Sequence, residues 1–208
     1  MKNFTLIAIG ATALFVVSTA LFFMSNEKYN DTNMDDLNKT SKNPIAVLKT
    51  SKGDIGIELF VDKMPVTAGN FLKLAREGFY NDTKFHRVIS NFMIQGGDPL
   101  SKSDTTERYG TGGPGYAIAD EFVEGLSNIR GTISMANAGP NTGGSQFFIN
   151  LEDNSGLDFD KEPFESSHPV FGKVVQGMDV VDDIGHTKTG EGDIPVVPVV
   201  VKSIEIVE

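Results

Sequence analysis

Arg87 and Gln95 flank the apolar pair Phe92 and Met93 within the tract Phe85-His86-Arg87-Val88-Ile89-Ser90-Asn91-Phe92-Met93-Ile94-Gln95-Gly96-Gly97. A guanidinium is a permanent cation with five N–H donors in a rigid plane and no acceptor, so it gives hydrogen bonds and never takes a proton. Some fifty residues later, Gly144-Ser145-Gln146-Phe147-Phe148 supplies a second amide beside two aromatic rings. Such a set can seat an apolar group while donating to a neutral polar one, chemistry that needs no nucleophile, metal or cofactor. The three histidines, His86, His168 and His186, are not grouped at metal-ligand spacing, so no metal is expected. Taken alone, Arg87 is also compatible with a solvated surface arginine, and Phe147 and Phe148 with plain core packing.

The elements that must position these groups follow from periodicity. Side chains alternate faces along a strand, so Arg87 points away from His86 and Val88, and one of Phe147 and Phe148 enters a core while the other faces a groove. His86 is then expected as a hydrogen-bonded interior histidine. Ile45, Val47, Ile55, Ile57 and Leu59 alternate on either side of Ser51-Lys52-Gly53-Asp54, which predicts a hairpin. Pro65 opens a helix whose apolar stripe is Val66, Phe71, Leu72, Leu74 and Ala75, and Gly78 stops it. Further short strands are expected at 85–89, 92–95, 131–135, 146–150, 170–175 and 197–206. A second helix over Met178–Ile184 ends at Gly185, just before an exposed His186 that can favour the helix C-terminus. Many short strands with two helices predict a mainly β fold, a closed antiparallel barrel, because closure removes exposed edges. The run from Gly110 to Gly115 satisfies the G-x-G-x-x-G pattern, but Pro114 and Tyr116 do not open a helix after a parallel strand, so it reads as a multi-glycine turn.

The two tracts, with Gly113-Pro114-Gly115-Tyr116, Asp120-Glu121-Phe122, Arg130-Gly131-Thr132-Ile133-Ser134-Met135-Ala136-Asn137 and His168-Pro169-Val170-Phe171-Gly172-Lys173-Val174, resemble the active face of the cyclophilins. That family consists of peptidyl-prolyl cis-trans isomerases, and the resemblance runs from about Asn43 to the C-terminus. It implies a closed eight-stranded antiparallel β-barrel capped by two α-helices, with Arg87 as the catalytic arginine. It assigns Phe92, Met93, Phe148 and Leu157 to the walls of a slot for the proline ring, with His168 at its edge. Gln95 and Gln146 would bond the substrate backbone or hold Arg87, and Ala136, Asn137 and Ala138 would bind the residues before proline through main-chain groups. No cofactor is implied, and the partners are proline-containing polypeptides met by a monomer. A cyclophilin-fold module that binds proline segments with little turnover is the alternative, against which the presence of the cation argues. Many eukaryotic members carry a tryptophan just before the leucine matching Leu157, where it supports cyclosporin binding. Here that position is Gly156, and weak cyclosporin affinity is expected. The segment from Asp158 to Ser167 is longer than in the minimal domain, and Leu100 to Thr111 matches no motif.

A formal net charge of −10 and the lack of any basic run exclude a nucleic-acid partner. Residues 3–26 carry no charge, and Phe4 to Met24 form a largely apolar run of 21 residues after Lys2. That length can span a bilayer, and it exceeds the apolar core of a cleaved signal peptide, which is roughly 7–15 residues. Residues 1–24 are therefore expected as a retained transmembrane segment, with secretion after cleavage near Ala20 as the alternative. Lys2 before the span, against Glu27, Asp31, Asp35 and Asp36 after it, puts the N-terminus in the cytoplasm and the domain outside. Residues 25–42 read as a flexible polar linker and 43–208 as the folded domain. The absence of cysteine fits an exported chain and rules out anchoring through a lipidated cysteine.

Overall fold

The structure is a computed structural model, and it describes residues 43–164 and 167–208. The expected membrane segment and linker lie outside the described residues. Among the described residues no helix is long and apolar enough to cross a membrane.

Among the described residues nine strands form one sheet: β1 Ile45–Thr50, β2 Asp54–Leu59, β3 Thr83–Lys84, β4 Arg87–Ile89, β5 Met93–Gly96, β6 Thr132–Met135, β7 Phe147–Asn150, β8 Val170–Gln176 and β9 Val200–Val207. Their order is β3-β9-β1-β2-β8-β6-β7-β5-β4, and every pairing is antiparallel. The two ends of that order, β3 and β4, are separated in the chain only by Phe85 and His86. The sheet therefore closes on itself through covalent continuity, and the expected eight strands become nine because one bent strand is interrupted there.

The β1–β2 hairpin forms as the alternation predicts, with Lys49 opposite Asp54 and their side chains 2.7 Å apart. Helix α1, Thr67–Arg76, buries Ala68, Phe71, Leu74 and Ala75, while Val66, expected on the buried stripe, is 46% exposed. Val66 precedes the helix, so the 3.6-residue period that places the others does not extend to it; its N–H instead donates to the Glu121 carboxylate. Helix α2, Met178–Gly185, buries Val181 and Ile184.

Phe71 is the centre of the barrel interior. Its ring lies 5.0 Å from that of Tyr80 and 5.4 Å from those of Phe147 and Phe171. Offset and edge-on aromatic pairs of this kind contribute about 0.5–1.5 kcal/mol each beyond the area they bury. Helix α1 and the turn after it reach the β6–β7 connection: Asn70 Nδ2 donates to Gly144 O at 2.7 Å, and Tyr80 OH, beyond the helix, to Ser145 O at 3.2 Å. Core packing and the placement of Gln146 are thus mechanically joined.

Candidate active site

Arg87 opens β4 and faces outward, whereas its neighbours His86 and Val88 are 3% and 2% exposed. The pairing of β4 with β5 sets Gln95 opposite Arg87, and that of β5 with β7 sets Phe148 opposite Gln95. Three strands consequently present one residue each to the same patch. Arg87, Phe92, Met93, Gln95, Ala136, Asn137, Phe148, Leu157 and His168 line a single cavity of about 230 Å³. Nine of the eleven residues singled out from the sequence meet there. The other two, Ala138 and Gln146, line an adjoining cavity of about 300 Å³ that shares Gln95, Ala136 and Asn137 with the first.

Phe147 is fully buried in the core, and Phe148 forms a wall of the first cavity with its ring edge-on to His168 at 5.2 Å. His168 Nδ1 lies 3.0 Å from Met135 O, so this nitrogen must carry the proton and donate. Burial pushes its pKa down, against the Met135 carbonyl and Asp120, which hold it up. The ring is therefore neutral at pH 7, with Nε2 available as an acceptor. His86 is also pushed down by burial, against Asp98, the Lys84 backbone and Gln146, which hold it up. It is interior as expected, with the Tyr109 ring edge-on to it at 6.3 Å. His186 Nδ1 caps α2 at 2.7 Å from Asp182 O, on the surface.

The amides are organised differently from the simplest expectation. Gln95 Nε2 donates to Gln146 Oε1 at 3.0 Å, and Gln146 Nε2 donates to Gly110 O and Gly112 O at 3.0 and 2.8 Å. Gln146 thereby ties the glycine turn to the groove, and that turn makes one wall of the second cavity. The Leu100–Thr111 stretch, which matched no motif, folds as two 3-10 turns. Buried Asp98 holds it by accepting from the N–H groups of Leu100 and Gly110. The ion pair of Arg87 is with Asp193, Nε to Oδ2 at 3.5 Å, both side chains about half exposed. Asp193 sits in a turn at φ 59°, a left-handed conformation that Asp tolerates better than most residues. No linear signal pointed to it, because it lies more than a hundred residues from Arg87. The N–H groups of Ala136 and Ala138 donate to Gln146 O and Thr142 Oγ1, which leaves their carbonyls and Asn137 for main-chain contacts.

No cluster of three or more His, Asp or Glu suited to a metal occurs among the described residues. What the arrangement offers is a half-exposed guanidinium at the mouth of an apolar slot, with amides on one side and a neutral imidazole on the other.

Comparison with known proteins shows the family and the fold. Residues 45–206 match the family model for cyclophilin type peptidyl-prolyl cis-trans isomerases. The chain is 44% identical over 167 residues to peptidyl-prolyl cis-trans isomerase B of Escherichia coli, covering 76% of this chain and 97% of that protein. It is 47% identical over 148 residues to a peptidyl-prolyl cis-trans isomerase-like 1 of Rhizopus delemar, covering 71% and 83% respectively. A crystal structure of a Cryptosporidium parvum cyclophilin type peptidyl-prolyl cis-trans isomerase superposes with a TM-score of 0.70 at 32% identity, over 80% of this chain and 98% of that one. The same protein, in a crystal structure determined in the presence of the dipeptide Ala-Pro, superposes with a TM-score of 0.69.

Proposed function

The chain belongs to the cyclophilin family and is a peptidyl-prolyl cis-trans isomerase, and we propose that Arg87 is its catalytic residue and the adjoining apolar cavity its proline slot. The observation that carries this is the convergence of Arg87 with Phe92, Met93, Phe148 and Leu157 on one cavity.

The physical account starts from the amide bond. Rotation about a peptide bond faces a barrier of about 18–20 kcal/mol because nitrogen shares its lone pair with the carbonyl. In the twisted transition state that sharing is lost, and the prolyl nitrogen becomes a hydrogen-bond acceptor. A guanidinium donor aimed at it stabilises the twisted form more than either planar form, which is the condition for acceleration. Differential stabilisation of about 7 kcal/mol would correspond to roughly five orders of magnitude. Preorganised donors in a partly dry groove can supply an effect of that order. The slot walls seat the ring, and the second cavity takes the residues before proline against Ala136, Asn137, Ala138 and Gln146. Exchange of a short Ala-Pro peptide measured by NMR on residues 43–208 tests the reading: no acceleration by a well-folded domain would overturn it.

Cyclosporin binds weakly in this reading, since a Cβ added at Gly156 meets nothing within 4 Å and the indole wall is missing. Gly156→Trp should restore that wall and tighten drug binding by about tenfold, equivalent to about 1.4 kcal/mol. Unchanged affinity in a calorimetric titration would refute this.

The same reading takes the enzyme to a membrane, with residues 4–24 as a retained span, the N-terminus cytoplasmic and the isomerase domain on the far side. Its support is the length of the apolar run and the charge asymmetry around it. Proline isomerisation limits folding for tens of seconds, so a tethered isomerase would assist exported chains as they fold. Fractionation of the full chain should find it membrane-bound with an intact N-terminus; a soluble product beginning near residue 21 would show the segment to be a cleaved signal.

A further inference from the structure

Beneath the proline slot runs a buried polar network centred on Asn128 and Asp158, which are 0% and 9% exposed. Asp158 Oδ1 accepts from both the backbone N–H and the Nδ2 of Asn128, at 2.8 and 2.9 Å, and its Oδ2 accepts from Ser127 OH at 2.5 Å. Asn128 Nδ2 also reaches His168 O at 3.2 Å, and Asn128 Oδ1 accepts from Ser134 OH on β6 at 2.7 Å. Leu157 and His168 bracket the segment that carries Asp158, and the His168 N–H donates to Leu157 O at 3.0 Å. Both ends of that segment are slot walls.

We propose that Asp158 is a positioning residue that sets substrate affinity by pinning Leu157 and His168, the lip of the proline slot, to Asn128; this rests on the slot assignment above. A burial-driven account alone does not explain the placement. The Asp158 carboxylate takes its three hydrogen bonds from one short turn, Ser127–Asn128, while Leu157, the residue before it, lines the cavity, and Asn128 in turn donates to the carbonyl of His168, a second wall.

The slot grips the proline ring in planar and twisted forms alike, so loosening it removes uniform binding. That raises KM and leaves kcat in place. Asp158→Ala should therefore raise KM for a short Ala-Pro peptide about tenfold, the scale of losing hydrogen bonds to a buried charged group, with kcat within about twofold. Asp158→Asn keeps the Oδ1 acceptor and can donate to Ser127 Oγ, so it should restore most of the affinity. If Asp158→Ala does not fold, Ser127→Ala removes a single bond and should raise KM by about twofold to threefold. Equal falls in kcat and kcat/KM, or a KM unchanged in both alanine variants while Leu157→Ala raises it, would overturn the positioning role. Should Leu157→Ala and Phe148→Ala also leave KM unchanged, the slot assignment itself fails, and the proposal with it.

Discussion

Arg87→Ala should slow prolyl isomerisation by about 10²–10³-fold, the loss typical of removing one preorganised donor from a transition state, or roughly 2.7–4 kcal/mol. The side chain is 45% exposed and its ion pair with Asp193 is a surface pair, so removing it costs the fold about 0–1 kcal/mol. Activity and stability are thus separable at this position. Peptide affinity should change little, because the slot walls Phe92, Met93, Phe148 and Leu157 remain. The expected pattern is a collapse of kcat with KM nearly constant, the mark of an interaction made only in the transition state. Arg87→Lys should recover little of the rate, since an ammonium is a point charge without the planar fork. Peptide exchange by NMR, with denaturation curves for each variant, checks this. Full activity in a folded Arg87→Ala protein would remove the guanidinium from the mechanism.

Gly97→Ala should destabilise the domain by about 2–5 kcal/mol. Gly97 ends the β5 tract at φ 83°, where an L side chain costs about 1–2 kcal/mol. A Cβ there would run into Ser145 O and would lie 2.9 Å from Phe147 Cδ1 and 3.1 Å from Gln146 Cα. Overpacking of that kind adds about 1–3 kcal/mol. Backbone cannot yield as a flexible side chain can, and Ser145 OH already anchors the contact by donating to Gly97 O at 2.8 Å. Two other glycines separate the contributions. Gly125, at φ 84° with nothing within 4 Å of a built Cβ, should show the backbone cost alone. Gly156→Ala, with open space and no left-handed backbone, should be near neutral. Urea unfolding of the three variants should rank them in that order, and a Gly97→Ala midpoint equal to that of Gly125→Ala would mean the strand end gives way freely. Because the contact includes Gln146, the groove should loosen along with the fold.

Much of the site was legible in the sequence because strands encode their two faces locally. Alternation alone sets Arg87 on the face opposite His86 and Val88, which are buried, and splits Phe147 from Phe148. The i, i+3, i+4 spacing of Phe71, Leu74 and Ala75 gives the buried face of α1 in the same way. It does not extend to Val66, which lies before the first helical turn. The family resemblance supplied the roles that these patterns leave open.

Other features depend on how the barrel closes, which no local pattern carries. The split into β3 and β4 arises where the sheet meets its own beginning at Phe85 and His86, so strand count follows from closure and not from propensity. The Arg87–Asp193 pair joins residues more than a hundred positions apart, and the Asp158–Asn128 network residues 30 apart, through polar side chains that have no hydrophobic period. Hydrogen bonds are directional and short, so a polar partner is chosen by the final few ångströms of packing. Hydrophobic burial needs only the correct face, so alternation and helical period could be read locally and the family resemblance named the groove residues, whereas the polar contacts that hold them depend on the folded barrel.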